Sequence, residues 1–357
     1  MIPASHAAPG GPAAAPPAPS PAPDSLQGAL VDRFGRAVRS LRISVTDRCN
    51  LRCVYCMPLA GITWYERSEL LTFEEIVRVV RPLAARGVRE IRLTGGEPLV
   101  RRDLARLAGM LAALPGVEDL AVTTNGLLLK EQAEGLVRAG VRRFNVHIDS
   151  LDPDTYLQVG RRDGLGRVLA ALDELERLGA LPIKVNVVLI RGVNDQEIPR
   201  FADLARTRRC QVRFIELMPL GAGETFEAER IVPGAEVRAR IEAEHPLRPA
   251  PRARDASPAE VFRFEDCAGD VGFINSVTEP FCGRCDRIRL TADGMLRNCL
   301  FARGDRDLRP LLRGGGSDDD LLRAIAAEVE AKGPGGSLDM AAVYRERLPR
   351  KMWQIGG

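Results

Sequence analysis

Residues 41–56, LRISVTDRCNLRCVYC, decide how the rest of the chain is read. The first six alternate apolar Leu41, Ile43 and Val45 with polar Arg42, Ser44 and Thr46, the two-residue period of a strand with one buried face. Three cysteines at the spacing C-x3-C-x2-C follow at once. A structural zinc site is closed by four ligands, so a set of three asks what completes it. Three thiolates suffice for three irons of a four-iron, four-sulfur cluster, and the fourth iron is then open to a ligand that is not protein. Half a zinc site and three unrelated buried thiols are the other readings of the triplet taken alone. Its place directly after a strand favours the cluster, because catalytic loops of strand–helix barrels sit at the C-terminal ends of the strands.

Beyond the triplet the pattern of strand, turn and amphipathic helix repeats six times. The strands are LRISVT (41–46), REIRLT (89–94), DLAVTT (119–124), RFNVHID (143–149), IKVNVVLI (183–190) and QVRFIEL (211–217). Thr72 followed by Glu75 forms a capping box and opens the first helix. Alternation of this length implies parallel pairing, and six units are fewer than the eight of a closed barrel. The fold class expected is therefore α/β, a partial (βα)6 open barrel followed by a C-terminal extension.

Side-chain parity then separates two faces. Leu41, Ile43, Val45, Ile91, Leu93, Phe144, Val146, Ile148, Ile183, Val185 and Val187 share the parity that lies under helices. Arg42, Ser44, Thr46, Arg92, Thr94, Asn145, His147, Asp149, Lys184, Asn186 and Arg213 share the other, which lines a polar cavity rather than a barrel packed with branched side chains. Arg42, Arg92, Lys184 and Arg213 come from four strands and suit a polyanion such as a phosphate chain; scattered salt bridges are the alternative.

Composition is that of an ordinary globular chain, with 45% hydrophobic and 28% charged residues and a net charge of +3, which argues for no nucleic-acid partner. Arginine outnumbers lysine 47 to 4, so a surface arginine says little and each lysine stands out. No apolar run reaches the roughly 18 residues of a membrane span, and no basic-then-apolar secretion signal is visible. A cytoplasmic protein is expected, with no membrane association. Eight cysteines in such a chain favour metal or redox chemistry over disulfides. Residues 1–27 are rich in Pro and Ala and cannot bury enough surface to order themselves.

TGGEP (94–98) follows the second strand, and its two glycines allow a close backbone approach to a ligand. After Pro219 the rhythm breaks into a loop-rich region centred on FCGRCDRIRL (281–290), with Cys299 beyond it and a chain end in Gly-Gly.

CNLRCVYC, TGGEP, TTNG (123–126) and the six-unit pattern together resemble the radical S-adenosylmethionine (SAM) superfamily. C-x2-C-D-R-I-R at 282–289, Cys299 and the Gly-Gly end narrow the resemblance to the GTP 3',8-cyclases of molybdenum cofactor biosynthesis, over Leu41 to Gly357. The resemblance implies three regions: a disordered head (1–27), a radical SAM partial barrel (28–220), and a region (221–357) for a second cluster and the substrate. Cys49, Cys53 and Cys56 would hold the first four-iron cluster, and Cys282, Cys285 and Cys299 a second, whose free iron meets the guanine of GTP. Tyr55, Gly96, His147 and Met218 fall at SAM-contacting positions. Arg42, Arg92, Thr123, Lys184, Arg287, Ile288 and Arg289 fall at GTP-contacting positions. Arg42, Lys184, Arg213, Gly356 and Gly357 are the catalytic set. The implied reaction, of the lyase class, removes the ribose 3' hydrogen and joins C3' to C8. Implied partners are a second copy of the chain, a flavodoxin or ferredoxin as electron donor, and cyclic pyranopterin monophosphate synthase downstream.

At His147 the family usually carries serine, and Cys267 has no counterpart in the motif; as a fourth C-terminal cysteine it would suit zinc. Two competing functions follow. One is a radical peptide maturase with auxiliary clusters. The other is a zinc-stabilised nucleotide-binding module without catalysis, although aromatic residues are only 5% and no basic stripe interleaves with them as stacking platforms require.

Overall fold

Strands β1 (Ser40–Ser44), β2 (Glu90–Thr94), β3 (Asp119–Thr124), β4 (Arg143–His147), β5 (Ile183–Leu189) and β6 (Cys210–Glu216) stand side by side in chain order, all parallel. Between them run α1 (Phe73–Ala85), α2 (Leu104–Ala112), α3 (Leu129–Arg138), the pair α4 (Pro153–Gly160) and α5 (Leu165–Arg177), and α6 (Ile198–Thr207); α7 (Gly234–Glu242) follows β6. The computed structural model describes residues 28–220, 227–251, 254–267, 269–335 and 348–356. The head at 1–27 and Gly357 lie outside the described residues.

The capping box forms as the sequence predicts. Glu75 N–H donates to the Thr72 hydroxyl at 3.1 Å, and Thr72 N–H donates to the Glu75 carboxylate at 2.7 Å. Parity also divides the faces as predicted: Leu41, Ile43, Val45, Phe144, Val146, Ile148, Ile183, Val185 and Val187 are wholly buried in the layer between sheet and helices. Burying each such side chain contributes about 1.5–3 kcal/mol, and that layer is what fixes the register of the polar face behind it.

The region after Pro219 departs from the expectation of loops. It contributes β7 (Leu247–Pro249), β8 (Glu260–Phe264), β9 (Asp270–Ile274), β10 (Arg287–Leu290), β11 (Met295–Arg297) and β12 (Arg306–Asp307), then α8 (Arg309–Arg313), α9 (Asp318–Glu330) and α10 (Met352–Ile355). Its strands do not form a separate sheet. The order is β12-β11-β10-β1-β2-β3-β4-β5-β6-β9-β8-β7, with β10 parallel to β1 and β9 parallel to β6. The edges of a six-stranded sheet present rows of unpaired backbone groups, and the C-terminal half covers both. Eight contiguous strands are thus parallel and the sheet stays open, its outermost strands being antiparallel. Among the described residues no helix is long and apolar enough to cross a membrane.

Candidate active site

Three segments meet at the C-terminal ends of β1 to β3: the cysteine loop, TGGEP and TTNG. Gly96 N–H donates to Thr46 C=O and Glu97 N–H to Arg48 C=O, both at 2.8 Å. A Cβ on Gly95 would lie 2.4 Å from Thr46 O, and one on Gly96 2.4 Å from both Asp47 O and Arg48 O. The glycines are therefore demanded first by this chain's own backbone ahead of the triplet, rather than by a ligand. Glu97, not singled out from the sequence, ties the next segment in. Its buried carboxylate accepts from Leu99 N–H (3.0 Å), Thr124 Oγ1–H (2.7 Å) and Asn125 N–H (2.7 Å). Burial outweighs these donors and pushes Glu97 up to about 7. Asn125 Nδ2 in turn donates to Asn50 Oδ1 at 2.8 Å and approaches Cys49 Sγ at 3.8 Å.

Cys49, Cys53 and Cys56 are half-buried on this loop. Burial raises all three thiols, Cys49 to about 11, and each lies close enough to another of the set for their charges to oppose one another. Among the described residues no three or more His, Cys, Asp or Glu converge on one metal ion. A four-iron cluster makes no such demand, since each thiolate takes its own iron, and the donor set fits that group. Tyr55, inside the triplet, reaches His147 Nε2 at 2.5 Å and Asp149 Oδ2 at 2.6 Å, and His147 Nε2 lies 2.8 Å from Asp149 Oδ2. Burial pulls the imidazole down, but the Asp149 carboxylate more than compensates and the net shift is upward.

The polar parity opens into a central cavity. Arg42, on β1, sits in register between Arg92 on β2 and Arg289 on β10, three guanidinium side chains on adjacent strands. With Thr123, Asn186, Arg213, Met218 and Arg287 they line the cavity. Lys184 does not reach the cavity lining but lies close enough to Arg213, Arg143 and Arg92 to feel their charge. Burial together with mutual repulsion drops Arg92 to about 10, Arg213 and Arg289 to about 9, and Lys184 to about 6, and takes Arg42 well down. Among the described residues no carboxylate lies within ion-pair distance of Arg42, Arg92 or Lys184. One pleat back, charges do pair: Arg143 meets Glu90 (3.3 Å) and Asp119, and Arg254 meets Glu90 (2.6 Å) and Asp286. Arg143 shares the inward parity of Asn145 and His147 and could have been read from it. The floor is thus neutralised and the cavity above it is left cationic, an arrangement that costs stability until an anion enters.

Cys282, Cys285 and Cys299 line the same cavity, at the β10 end. Burial would raise Cys285, yet Arg287 and Lys332 beside it bring the thiol down to about 6. Arg287 lies 4.7 Å over the Phe281 ring. Ile288 differs from its neighbours: paired with Leu41, it is fully buried in the apolar layer, so its side chain faces away from the cavity that Arg287 and Arg289 enter. Alternation within the strand requires this. Cys267 is remote from the set, at the β8–β9 turn near Arg206. Cys210 is buried at the start of β6.

The chain's tail enters the cavity as well. Arg350 bonds Asp293 at 2.9 and 3.0 Å and the Tyr65 hydroxyl at 2.7 Å, and it pairs with Asp305 at 2.5 Å. Trp353 and Ile355 of α10 are buried. Gly356 then takes φ +72, where a Cβ would meet Thr94 Cγ2 at 2.5 Å and Ser44 Oγ at 2.7 Å, and its carbonyl accepts from Arg289 Nη1. Its lack of a side chain is what lets the tail lie against β1 and β2.

Known proteins place this architecture. Residues 43–205 match the family model of the Radical SAM superfamily, and residues 210–338 that described as Molybdenum Cofactor Synthesis C. Streptococcus suis SuiB bound to its precursor peptide SuiA shares the fold at a TM-score of 0.58 and 12% identity, covering 85% of this chain and 67% of that one. A GTP 3',8-cyclase of Pelotomaculum thermopropionicum is 46% identical over 329 residues, spanning 92% of this chain and all of the relative. One from Corynebacterium glutamicum is 43% identical over 338 residues, spanning 92% and 89%. With identities of this size over nearly the whole chain, the protein belongs to the GTP 3',8-cyclase family of the radical SAM superfamily.

Proposed function

We propose that this chain is a GTP 3',8-cyclase, a radical SAM lyase that converts GTP to (8S)-3',8-cyclo-7,8-dihydroguanosine 5'-triphosphate at the first step of molybdenum cofactor biosynthesis. The observation that carries the reading is a cationic cavity lined by Cys282, Cys285 and Cys299, in a chain whose other three-cysteine set, Cys49, Cys53 and Cys56, lies on the loop after β1 beside the glycine turn.

Cys49, Cys53 and Cys56 would hold the first four-iron cluster, and Cys282, Cys285 and Cys299 a second. Once bound, the first cluster and SAM supply an adenosyl radical able to take the ribose 3' hydrogen. Residues 28–220 form the radical half, and residues 221–357 the half that carries the second cluster. Gly96, Tyr55, His147 and Met218 border the SAM position, Gly96 by holding the turn and His147 by its bond to Tyr55. Arg42, Arg92 and Arg213 receive the triphosphate and Lys184 adds its charge from behind that lining; the negative charge of the ligand offsets their mutual repulsion and the contacts fix the ribose. Thr123 has a buried hydroxyl with no partner among the described residues, free to bond a polar ligand atom. Arg287, Arg289 and the backbone of Ile288 lie against the guanine end. Gly356 closes the cavity and excludes water from the reacting carbons; Gly357, outside the described residues, is proposed to share the catalytic role.

A flavodoxin or ferredoxin is the electron donor in this reading, a synthase of cyclic pyranopterin monophosphate takes the product, and two copies of the chain associate. The test is anaerobic incubation with a strong reductant, SAM and GTP. The reading predicts 5'-deoxyadenosine together with a guanine nucleotide joined from C3' to C8. Release of 5'-deoxyadenosine with GTP left intact would move the function to a maturase, and zinc in the protein without sulfide would remove it from radical chemistry.

A further inference from the structure

We infer that Lys332 positions the second cysteine set and sets the electron affinity of the cluster proposed there; the inference rests on that proposal. Lysine is used only four times in this chain. Lys332 follows α9 and is buried as a residue, at 3% exposure, with its ammonium against the segment that carries Cys285. It donates to Cys285 C=O at 2.7 Å and to Arg287 C=O at 2.9 Å, and lies 3.6 Å from Cys285 Sγ. Three donors of a compact ammonium thus meet three acceptors, two on Cys285 and one on Arg287 where β10 begins.

The segment bearing Lys332 is itself fastened to that turn. Arg36, paired with Asp32 at 2.6 Å, donates to Cys282 C=O and Pro334 C=O at 2.9 Å each and also to Gly333 C=O. Gly335 packs so closely that a Cβ there would lie 2.5 Å from Cys282 Cβ. Residues 332–335 therefore form a strap under the cysteine turn, with the cation aimed at one ligand sulfur. Hydrogen bonds to ligand sulfurs and nearby net charge are what set the potential of an iron–sulfur cluster. A fixed positive charge favours the reduced state, which carries one more negative charge, and raises the potential.

The test uses the full chain carrying Cys49→Ala, Cys53→Ala and Cys56→Ala, which keeps only the second set. About four irons per chain are expected in that background; if it binds none, the cluster proposal fails and the inference with it. Lys332→Gln and Lys332→Met are then titrated with reductant and followed by electron paramagnetic resonance. Both are expected to keep their iron and to show a midpoint more negative by at least about 59 mV, tenfold in the oxidised-to-reduced ratio of a one-electron couple. An unchanged midpoint in both, with iron in place, overturns the inference. So does loss of iron in both, which would make Lys332 a scaffold residue alone.

Discussion

Lys184 offers the sharpest quantitative handle on the cavity. Burial, then the charges of Arg213, Arg143 and Arg92, lower its pKa to about 6, so the ammonium is mostly neutral at physiological pH while the cavity is empty. A bound triphosphate reverses that balance: within range of several negative charges the lysine, though behind the lining, returns to its charged form, so binding takes up a proton. Below pH 6 the lysine is charged before GTP arrives and affinity is at its maximum. Above pH 6 each unit costs about tenfold in affinity, about 1.4 kcal/mol. Between pH 6.5 and 8.5 the dissociation constant for GTP should therefore rise about 80-fold from this one group. Lys184→Met removes the titrating group, so the variant should bind more weakly at pH 6.5 and lose most of the slope. Because GTP's own terminal phosphate and the lowered arginines titrate in both proteins, the comparison between them isolates Lys184. Anaerobic calorimetry in two buffers of different ionisation enthalpy gives both the constant and the proton uptake. A flat profile for the native protein, or an equal slope in Lys184→Met, would refute the reasoning.

Three further outcomes are expected. Gly356→Ala places a methyl group against Thr94 and Ser44, so the tail lifts out of the cavity; turnover should fall at least about 100-fold, as for a misplaced catalytic group, with thermal midpoint and iron content unchanged. In Glu97→Gln the new amide nitrogen faces Asn125 N–H in place of an acceptor. An unpaired buried donor costs about 1–3 kcal/mol, read as about 5- to 150-fold faster hydrogen exchange at the Asn125 amide. His147, raised above 6.5, contributes stability that is complete below its unfolded pKa and lost as pH rises through the higher folded value. Asp149→Asn should bring the imidazole titration, followed by nuclear magnetic resonance, below 6.5, because burial then outweighs the Glu97 charge that still opposes it.

Parity makes the cavity legible in the sequence alone. Leu41, Ile43 and Val45 against Arg42 and Ser44 specify one buried and one polar face, and register follows from burying the first. That is why Arg42 and Arg92 stand side by side as expected. Arg143 carries the same signal, one pleat deeper. The C-terminal strands were missed for a physical reason. EVFRF (260–264) and RIRL (287–290) alternate plainly, but DVGFI (270–274) is weakened by Gly272, which packs 3.4 Å from Arg213 Cγ at its Cβ position. Which edges these strands would cover depends on long-range pairing that no local pattern specifies. Glu97 and Lys332 lie beyond sequence reasoning in another way. Each works through hydrogen bonds to segments remote in the chain, and only the scarcity of lysine hinted at the second.

The central claim is that two three-cysteine sets, one for each reactant, serve one cationic cavity. Cys285→Ala tests it most directly, with iron, 5'-deoxyadenosine and cyclised nucleotide measured on a single anaerobic preparation. The account predicts about four irons per chain in place of about eight, continued reductive cleavage of SAM, and no cyclised nucleotide. Eight irons, or undiminished cyclisation with four, would contradict it.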